Sequence, residues 1–211
     1  MRPALERGCS EMVVGIILAA GTSTRMGRSK ALLPCDGGRF VSRLAKAFRA
    51  AGLDEVIVVT GPELADIEAA LLEDGAVARV IENPHRDAGQ LSSLQAGLQV
   101  ADRPGVEAIV VGLVDTPLVA PATIGALLAA WRRTRAPIVR PAKDGRHGHP
   151  VLFGRALFAD LRRADPAAGA RQVVRARQAE AIDVAIDDPG AFDDIDTPDD
   201  YARLIGSASG T

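Results

Sequence analysis

Aromatic residues are scarce: five Phe, one Trp and one Tyr make up 3% of the 211-residue chain. Single-stranded nucleic acid is usually gripped by stacking its bases on such rings, so the shortage argues against that class of partner. A formal net charge of −2 argues the same way, because nucleic-acid binding leaves a basic footprint. Only two cysteines occur, Cys9 and Cys35, and no CxxC pair exists, so neither a zinc knuckle nor a redox dithiol is signalled. No apolar run reaches the roughly 18 residues that a membrane helix needs. The opening MRPALERGCSEM lacks the apolar core of a secretory signal. These absences predict a cytoplasmic protein that contacts neither nucleic acid nor membrane.

What is present suits a folded domain. Hydrophobic residues make up 47% and charged residues 25%, which are ordinary globular values. Apolar runs at 13–18, 55–60, 78–81, 108–113, 137–140, 151–153 and 181–185 read as strands. Helical spacing covers 40–51, 62–72, 92–100, 121–134, 155–164, 170–178 and 198–205. Strands alternate with helices through the first two-thirds, the pattern of βαβ units and a parallel sheet. The expectation is a Rossmann-like α/β fold with a mainly parallel sheet, forming one domain over 13–206. Residues 1–12 read as a disordered lead or a start codon placed too early, and 207–211 as a tail. Ligands of such sheets bind beyond the strand C-termini.

The segment after the first strand carries the most chemistry. Leu18-Ala19-Ala20-Gly21-Thr22-Ser23-Thr24-Arg25-Met26-Gly27-Arg28-Ser29-Lys30 combines glycines, hydroxyls and cations. Glycine lets backbone N–H groups approach phosphate oxygens, and Arg and Lys add charge-assisted bonds. An anion cradle follows from this, with a solvated polar loop as the alternative. Neither familiar phosphate loop fits. Walker A needs GxxxxGK[ST], but five residues separate Gly21 from Gly27 and Arg28 follows; GxGxxG lacks its second glycine.

This segment, continued as LAAGTSTRMGRSKALLP, resembles the signature loop of the nucleotidyltransferases that attach NMP to molybdopterin. That group is a branch of the sugar- and alditol-phosphate nucleotidyltransferases. Further matches are Ala88-Gly89-Gln90-Leu91-Ser92-Ser93-Leu94, Val114-Asp115-Thr116-Pro117-Leu118, Gly148-His149-Pro150-Val151 and Asp194-Ile195-Asp196-Thr197-Pro198-Asp199-Asp200-Tyr201. Together they span roughly residues 13 to 205. The resemblance implies the nucleotide-diphospho-sugar transferase type of Rossmann-like fold. It also implies a Mg²⁺-dependent transfer of NMP to an acceptor phosphate, with pyrophosphate leaving. It leaves room for a molybdoenzyme or its chaperone as a protein partner. Val114 stands where the family usually has Gly or Cys, and AGQLSSL stands where GMGxSL is usual. Both departures bear on substrate rather than on reaction class.

The same resemblance distributes the roles. Leu18, Ala19, Ala20, Gly21, Thr22, Arg25, Lys30, Gly89, Ser92 and Ser93 are expected around the nucleotide, with Arg25, Lys30 and Asp115 as the catalytic set. Asp115 and Asp196 are expected to hold the metal, and His149 and Asp194 to meet the acceptor. From the residues alone, Asp115 at a strand end is either a ligand or a helix N-cap ahead of Pro117 and Pro121. Asp199 and Asp200 suit a helix's first turn, with Thr197 as its cap and Pro198 at its first position. His147 and His149 lack a third ligand nearby, which argues against zinc. Several of Arg162, Arg163, Arg171, Arg175 and Arg177 could face an anionic acceptor, with none singled out.

The expected base follows from Ala20 together with the Gly148–Val151 and Asp194–Pro198 segments, which look more like the cytidylyl branch. Because uridylyltransferases on sugar phosphates also tend to read LAAG, Ala20 argues against GTP more firmly than for CTP. Guanylyltransferases of the resembling group read LAGG and cytidylyltransferases LAAG, and this chain has Ala20. A methyl there takes room that a two-ring purine needs. CTP is therefore expected over GTP, with a guanylyltransferase or a sugar- or alditol-phosphate enzyme as alternatives. A nucleotide-binding module without catalysis would need only Arg25 and Lys30. An NAD(P)-dependent reductase would need the missing glycine fingerprint.

Overall fold

The computed structural model describes residues 11–21, 29–36, 38–167 and 169–206. In chain order the elements begin with β1 (Met12–Leu18), the hairpin of β2 (Pro34–Cys35) and β3 (Gly38–Arg39), and α1 (Phe40–Ala50). Next come β4 (Glu55–Thr60), α2 (Leu64–Glu73), β5 (Arg79–Glu82), α3 (Gln90–Ala101), β6 (Val106–Leu113) and α4 (Pro121–Thr134). The remainder are β7 (Ile138–Lys143), β8 (Arg146–His147), β9 (Val151–Gly154), α5 (Phe158–Arg163), α6 (Ala170–Ala176), β10 (Ala181–Ala185) and α7 (Pro198–Leu204).

One eight-stranded sheet runs β10-β7-β9-β6-β1-β4-β5, with β8 paired to β7. β1 is parallel to both β4 and β6, β4 to β5, and β7 to β10. β9 alone among the long-path strands runs antiparallel, against both β6 and β7. The mainly parallel Rossmann-like α/β fold predicted from the alternation is therefore what the chain adopts. The sheet buries both faces, as parallel sheets do. Phe40, Leu44, Phe48, Ile67, Leu127 and Trp131 pack one face. Leu91, Leu94, Leu98, Phe158 and Leu161 pack the other. Among the described residues no helix is long and apolar enough to cross a membrane.

Several boundaries differ from the sequence reading for identifiable reasons. The β2–β3 hairpin and β8 have two residues per strand, too few to show a period. β7 runs on through Pro141 to Lys143, past the expected end of the strand at 140. Proline lacks only the donor; its carbonyl still accepts the Gly148 N–H at 3.0 Å. The helix expected over 155–164 opens as a 3₁₀ turn, Arg155–Leu157, before α5.

Sheet order decides what meets at the C-terminal edge. β1 and β6 are neighbours in register from Val13↔Ala108 to Leu18↔Leu113. The Val114 N–H donates to the Leu18 carbonyl at 3.1 Å. The two strands thus deliver their following segments, 19–21 and 114–116, side by side.

Candidate functional site

Asp115 leaves the end of β6 in a tight turn, closed by the Thr116 N–H and the Thr116 Oγ1, which donate to the Leu113 carbonyl at 3.0 and 2.9 Å. It does not cap a helix. The first turn of α4 is served instead by Asp188, whose Oδ2 accepts from the Ala120 N–H at 2.9 Å and from Thr123 Oγ1 at 2.6 Å. The ligand-or-cap alternative is thereby narrowed: another carboxylate does the capping, and Asp115 is left facing the cleft.

Two further segments converge on it. Ile195, fully buried, donates its N–H to the Asp115 carbonyl at 2.8 Å. Its neighbours Asp194 and Asp196 are therefore held on either side of the Asp115 backbone. Lys30 opens a 3₁₀ turn, Lys30–Leu32, anchored by the buried Ala31 and Leu33. Its Nζ pairs with Asp196 Oδ1 and lies 3.9 Å from Asp115 Oδ2. The closing element is pinned from behind. Thr197 caps α7 in a capping box with Asp200, and Tyr201 donates its hydroxyl to the Pro34 carbonyl at 2.8 Å. Asp200 thus does the structural work expected of it, while Asp196 points to Lys30.

The electrostatics follow from burial. Asp115 keeps only 26% of its side chain exposed, and its Oδ1 is buried with no hydrogen-bond partner. That burial pushes its carboxyl above the usual range, Lys30 pulls it back, and Asp196 and Asp194 push it up further. An unpartnered buried carboxylate oxygen is costly, and a cation is what would relieve it. Among the described residues no group of three or more His, Cys, Asp or Glu is arranged to hold a metal. The cluster therefore offers two carboxylates, Asp115 and Asp196, rather than a full protein cage.

Two adjoining cavities lie nearby; Lys30 and Asp115 line the first, and neither Asp194 nor Asp196 is among the lining residues of either. The first, about 410 Å³, is lined by Leu18, Ala19, Ala20, Gly21 and Asp115 from the strand ends, by Lys30 from its 3₁₀ turn, and by Arg86, Asp87, Gly89, Gln90 and Ser93. Most of the residues expected around a nucleotide thus share one space. Thr22 and Arg25 lie outside the described residues. Ser92 does not line this cavity. Its hydroxyl accepts from Asn83 Nδ2 at 2.9 Å and is spent on the His85 and Gly89 carbonyls, at 2.9 and 2.7 Å. Ser93, one residue on, faces the cavity and takes the second Asn83 Nδ2 bond at 3.0 Å. The Ser-Ser pair therefore divides into one hydroxyl that fixes the turn and one that meets the ligand space. Sequence reading missed Arg86, Gln90 and Asn83. Arg86 sits just ahead of a recognised motif and Gln90 inside it, and Asn83 reaches the serines through contacts nine and ten residues away.

The second cavity, about 660 Å³, shares Leu18, Gln90 and Leu113 with the first and extends to His149, Phe153 and α6. His149 is placed by its N–H, which donates to the Ala191 carbonyl at 2.8 Å. Burial pushes its imidazole down; the Val111 carbonyl and Asp194 push it up, and Arg171 pushes it down. Its Nδ1 is buried without a partner. His147, by contrast, sits at the surface with Nε2 3.1 Å from Asp183 Oδ2, so the two histidines do not act as a pair.

Gly148 explains why His149 can sit there. A Cβ at position 148 would collide with the Ala191 carbonyl oxygen and carbon. Gly148→Ala is expected to cost about 1–3 kcal/mol, the usual range for overpacking a tight contact, and to displace His149. A thermal midpoint equal to the parent's would contradict this packing argument.

With this geometry in hand, comparison with known proteins places the chain among its relatives. A model of the MobA-like NTP transferase domain matches residues 15–182. The purine catabolism protein PucB of Bacillus subtilis (strain 168) is 30% identical over 200 residues, covering 91% of this chain and 95% of that protein. The nicotine blue oxidoreductase of Paenarthrobacter nicotinovorans is 32% identical over 201 residues, covering 92% and 96%. A molybdenum cofactor guanylyltransferase of Xanthomonas euvesicatoria pv. vesicatoria (strain 85-10) is 28% identical over 200 residues, covering 90% and 93%. The crystal structure of Rv0371c from Mycobacterium tuberculosis H37Rv superimposes with a TM-score of 0.79 at 31% identity, covering 93% of this chain and 98% of that one.

Proposed function

The chain belongs to the MobA-like NTP transferase family, and from that premise we propose that it transfers CMP from CTP to the phosphate of a molybdopterin-type acceptor, releasing pyrophosphate. The observation that carries the reading is the Lys30–Asp115–Asp196 cluster, whose Lys30 and Asp115 line the first of two adjoining cavities, one of a size for a nucleotide and the other open to an acceptor. A binding module would have no need of an unpaired, buried carboxylate oxygen there.

In this reading Leu18, Ala19, Ala20, Gly21, Gly89 and Ser93 bound the nucleotide, joined by Thr22 and Arg25. Lys30 supplies a positive charge at the phosphates. Asp115 and Asp196 are the metal-holding carboxylates, a count that suits Mg²⁺, which takes one or two carboxylates and fills its shell with phosphate oxygens and water. The buried Asp115 Oδ1, an orphaned hard oxygen, fits such an ion. When bound, the metal supplies charge neutralisation on the reacting phosphates. A complex of Rv0371c with manganese supports a divalent ion at a related fold. His149 and Asp194 face the acceptor. No side chain has to act as a nucleophile: the acceptor's phosphate oxygen bonds to the α-phosphorus as the bond to pyrophosphate breaks. Catalysis is then positioning and charge compensation.

Ala20 favours CTP. It is buried, and its methyl takes space at the cavity wall. The Xanthomonas relative, by its name, favours GTP instead. Pyrophosphate release should be measured with CTP, GTP, UTP and ATP, each with and without molybdopterin. CTP is expected to win over GTP by about 10-fold in kcat/KM, since one methyl in a tight pocket is worth about 1–3 kcal/mol. Ala20→Gly is expected to narrow that ratio. Faster turnover of GTP than of CTP by the parent would promote the guanylyl reading. The oxidoreductase name of the Paenarthrobacter relative suggests a third chemistry. Against it, Gly21 is followed by Thr22, Ser23 and Thr24 where a dinucleotide fingerprint needs glycine.

A further inference from the structure

Five arginines between 162 and 177 carry no role in the reading above, and the structure divides them. Arg162 pairs with Asp102, Arg163 with Asp160 at 3.6 Å, and Arg177 with Asp160 at 3.4 Å and Glu180 at 2.9 Å. Arg171 and Arg175 differ. Among the described residues neither has an ion pair or a side-chain hydrogen bond, and both line the second cavity. They stand four apart on α6, so they share one helical face, where like charges repel.

The rest of that cavity sharpens the contrast. Arg140 also lines it, with 9% of its side chain exposed and its Nε donating to Asp183 Oδ1 at 2.7 Å. No Asp or Glu is among the lining residues that are described. Leu91, Leu94, Val111, Val151 and Phe153 supply an apolar strip. None of the three arginines lines the first cavity, where the nucleotide's phosphates and Lys30 belong.

We propose that Arg171 and Arg175, with Arg140, seat a second anionic group of the acceptor, separate from the phosphate that attacks the NTP. The inference rests on the two-substrate reading of the site. The reacting phosphate has to reach Lys30 and Asp115 in the first cavity. An acceptor that spans the junction at Leu18, Gln90 and Leu113 has its far end among these arginines. The chemical class that fits is an acceptor that carries an anionic group apart from its reacting phosphate, on a flat body that packs against the apolar strip. Two unpaired arginines on one face cost the free protein stability, and an anion between them offsets that cost.

Two measurements on the full chain test this. Calorimetric titration with inorganic phosphate is run on Lys30→Ala, which weakens the first cavity's site, and on Lys30→Ala carrying Arg171→Ala and Arg175→Ala. Phosphate binding is expected to persist in the first and to weaken at least 10-fold in the second. The Arg171→Ala/Arg175→Ala protein is then assayed with CTP and molybdopterin. Its KM for molybdopterin is expected to rise at least 10-fold, with its KM for CTP within 2-fold of the parent and its thermal midpoint no lower. Unchanged phosphate binding overturns the seat, and so does a CTP KM that rises in parallel. If the parent releases no pyrophosphate from any NTP, the transferase reading falls, and the phosphate titration alone decides whether the arginines form an anion site.

Discussion

Asp115→Asn is expected to end turnover while leaving the fold in place. The carboxylate is held at the end of β6 by its own backbone, through the Ile195 N–H on its carbonyl and the turn at Leu113–Thr116. Neither contact uses the side chain. Its Oδ1 has no hydrogen-bond partner to lose, and its Oδ2 lies 3.9 Å from Lys30, which keeps its pair with Asp196. Asparagine has nearly the same shape and no charge. It removes the burial cost and the repulsion from Asp196 and Asp194 that raise this carboxyl. The thermal midpoint should therefore equal or exceed the parent's. Activity should move the other way. Losing a metal-holding carboxylate at the α-phosphate removes several kcal/mol of charge stabilisation, about a 10³-fold drop in kcat. Stability and function are opposed at this residue, as expected where a charge is buried for chemistry rather than for packing. A folded Asp115→Asn protein with full activity would remove the metal assignment. A poorly folded one would show that the side chain supports the turn.

How far the sequence disclosed this site depends on what each residue does locally. Lys30, Asp115 and Asp196 are 81 and more positions apart, yet all three stood out, because each sits in a short motif at an element boundary. The fold was legible for the same reason: β1, β4 and β6 carry apolar runs of four residues or more, as strands buried on both faces do. What stayed hidden is set by tertiary neighbours. Nothing near Asp188 in sequence announces that it caps α4, since its partners Ala120 and Thr123 lie 68 and 65 residues away. Ser92 and Ser93 look equivalent as letters, and only the position of Asn83 separates them. The arginines of α5 and α6 are alike in composition too. Which of them are neutralised depends on where Asp102 and Asp160 fall.

Lys30 is the residue whose loss should weaken both the free protein and the reaction. Its side chain is 15% exposed and lies between two carboxylates, Asp115 and Asp196. In Lys30→Ala, Asp115 keeps its burial and its repulsion from Asp196 and Asp194 but loses the group that pulls its carboxyl down most. Removing one member of a largely buried cluster leaves an uncompensated charge, which costs 3–5 kcal/mol in a fully buried pair. Asp196 is 45% exposed and solvent screens it, so the expected cost here is smaller, about 1–2 kcal/mol. Catalysis should suffer separately. A charge-assisted bond to a phosphate oxygen is worth about 1.5–3 kcal/mol, so kcat/KM for the NTP should fall about 10- to 150-fold. The two losses can be told apart by pairing substitutions. Adding Asp196→Asn to Lys30→Ala removes the repulsion and should restore much of the thermal midpoint. It should restore none of the activity, because the cation at the phosphates is still gone and a metal-holding carboxylate is gone with it. Parent-like kinetics in Lys30→Ala would sink the phosphate role. Activity recovered along with stability in the double variant would mean that Lys30 serves only to hold the carboxylates together.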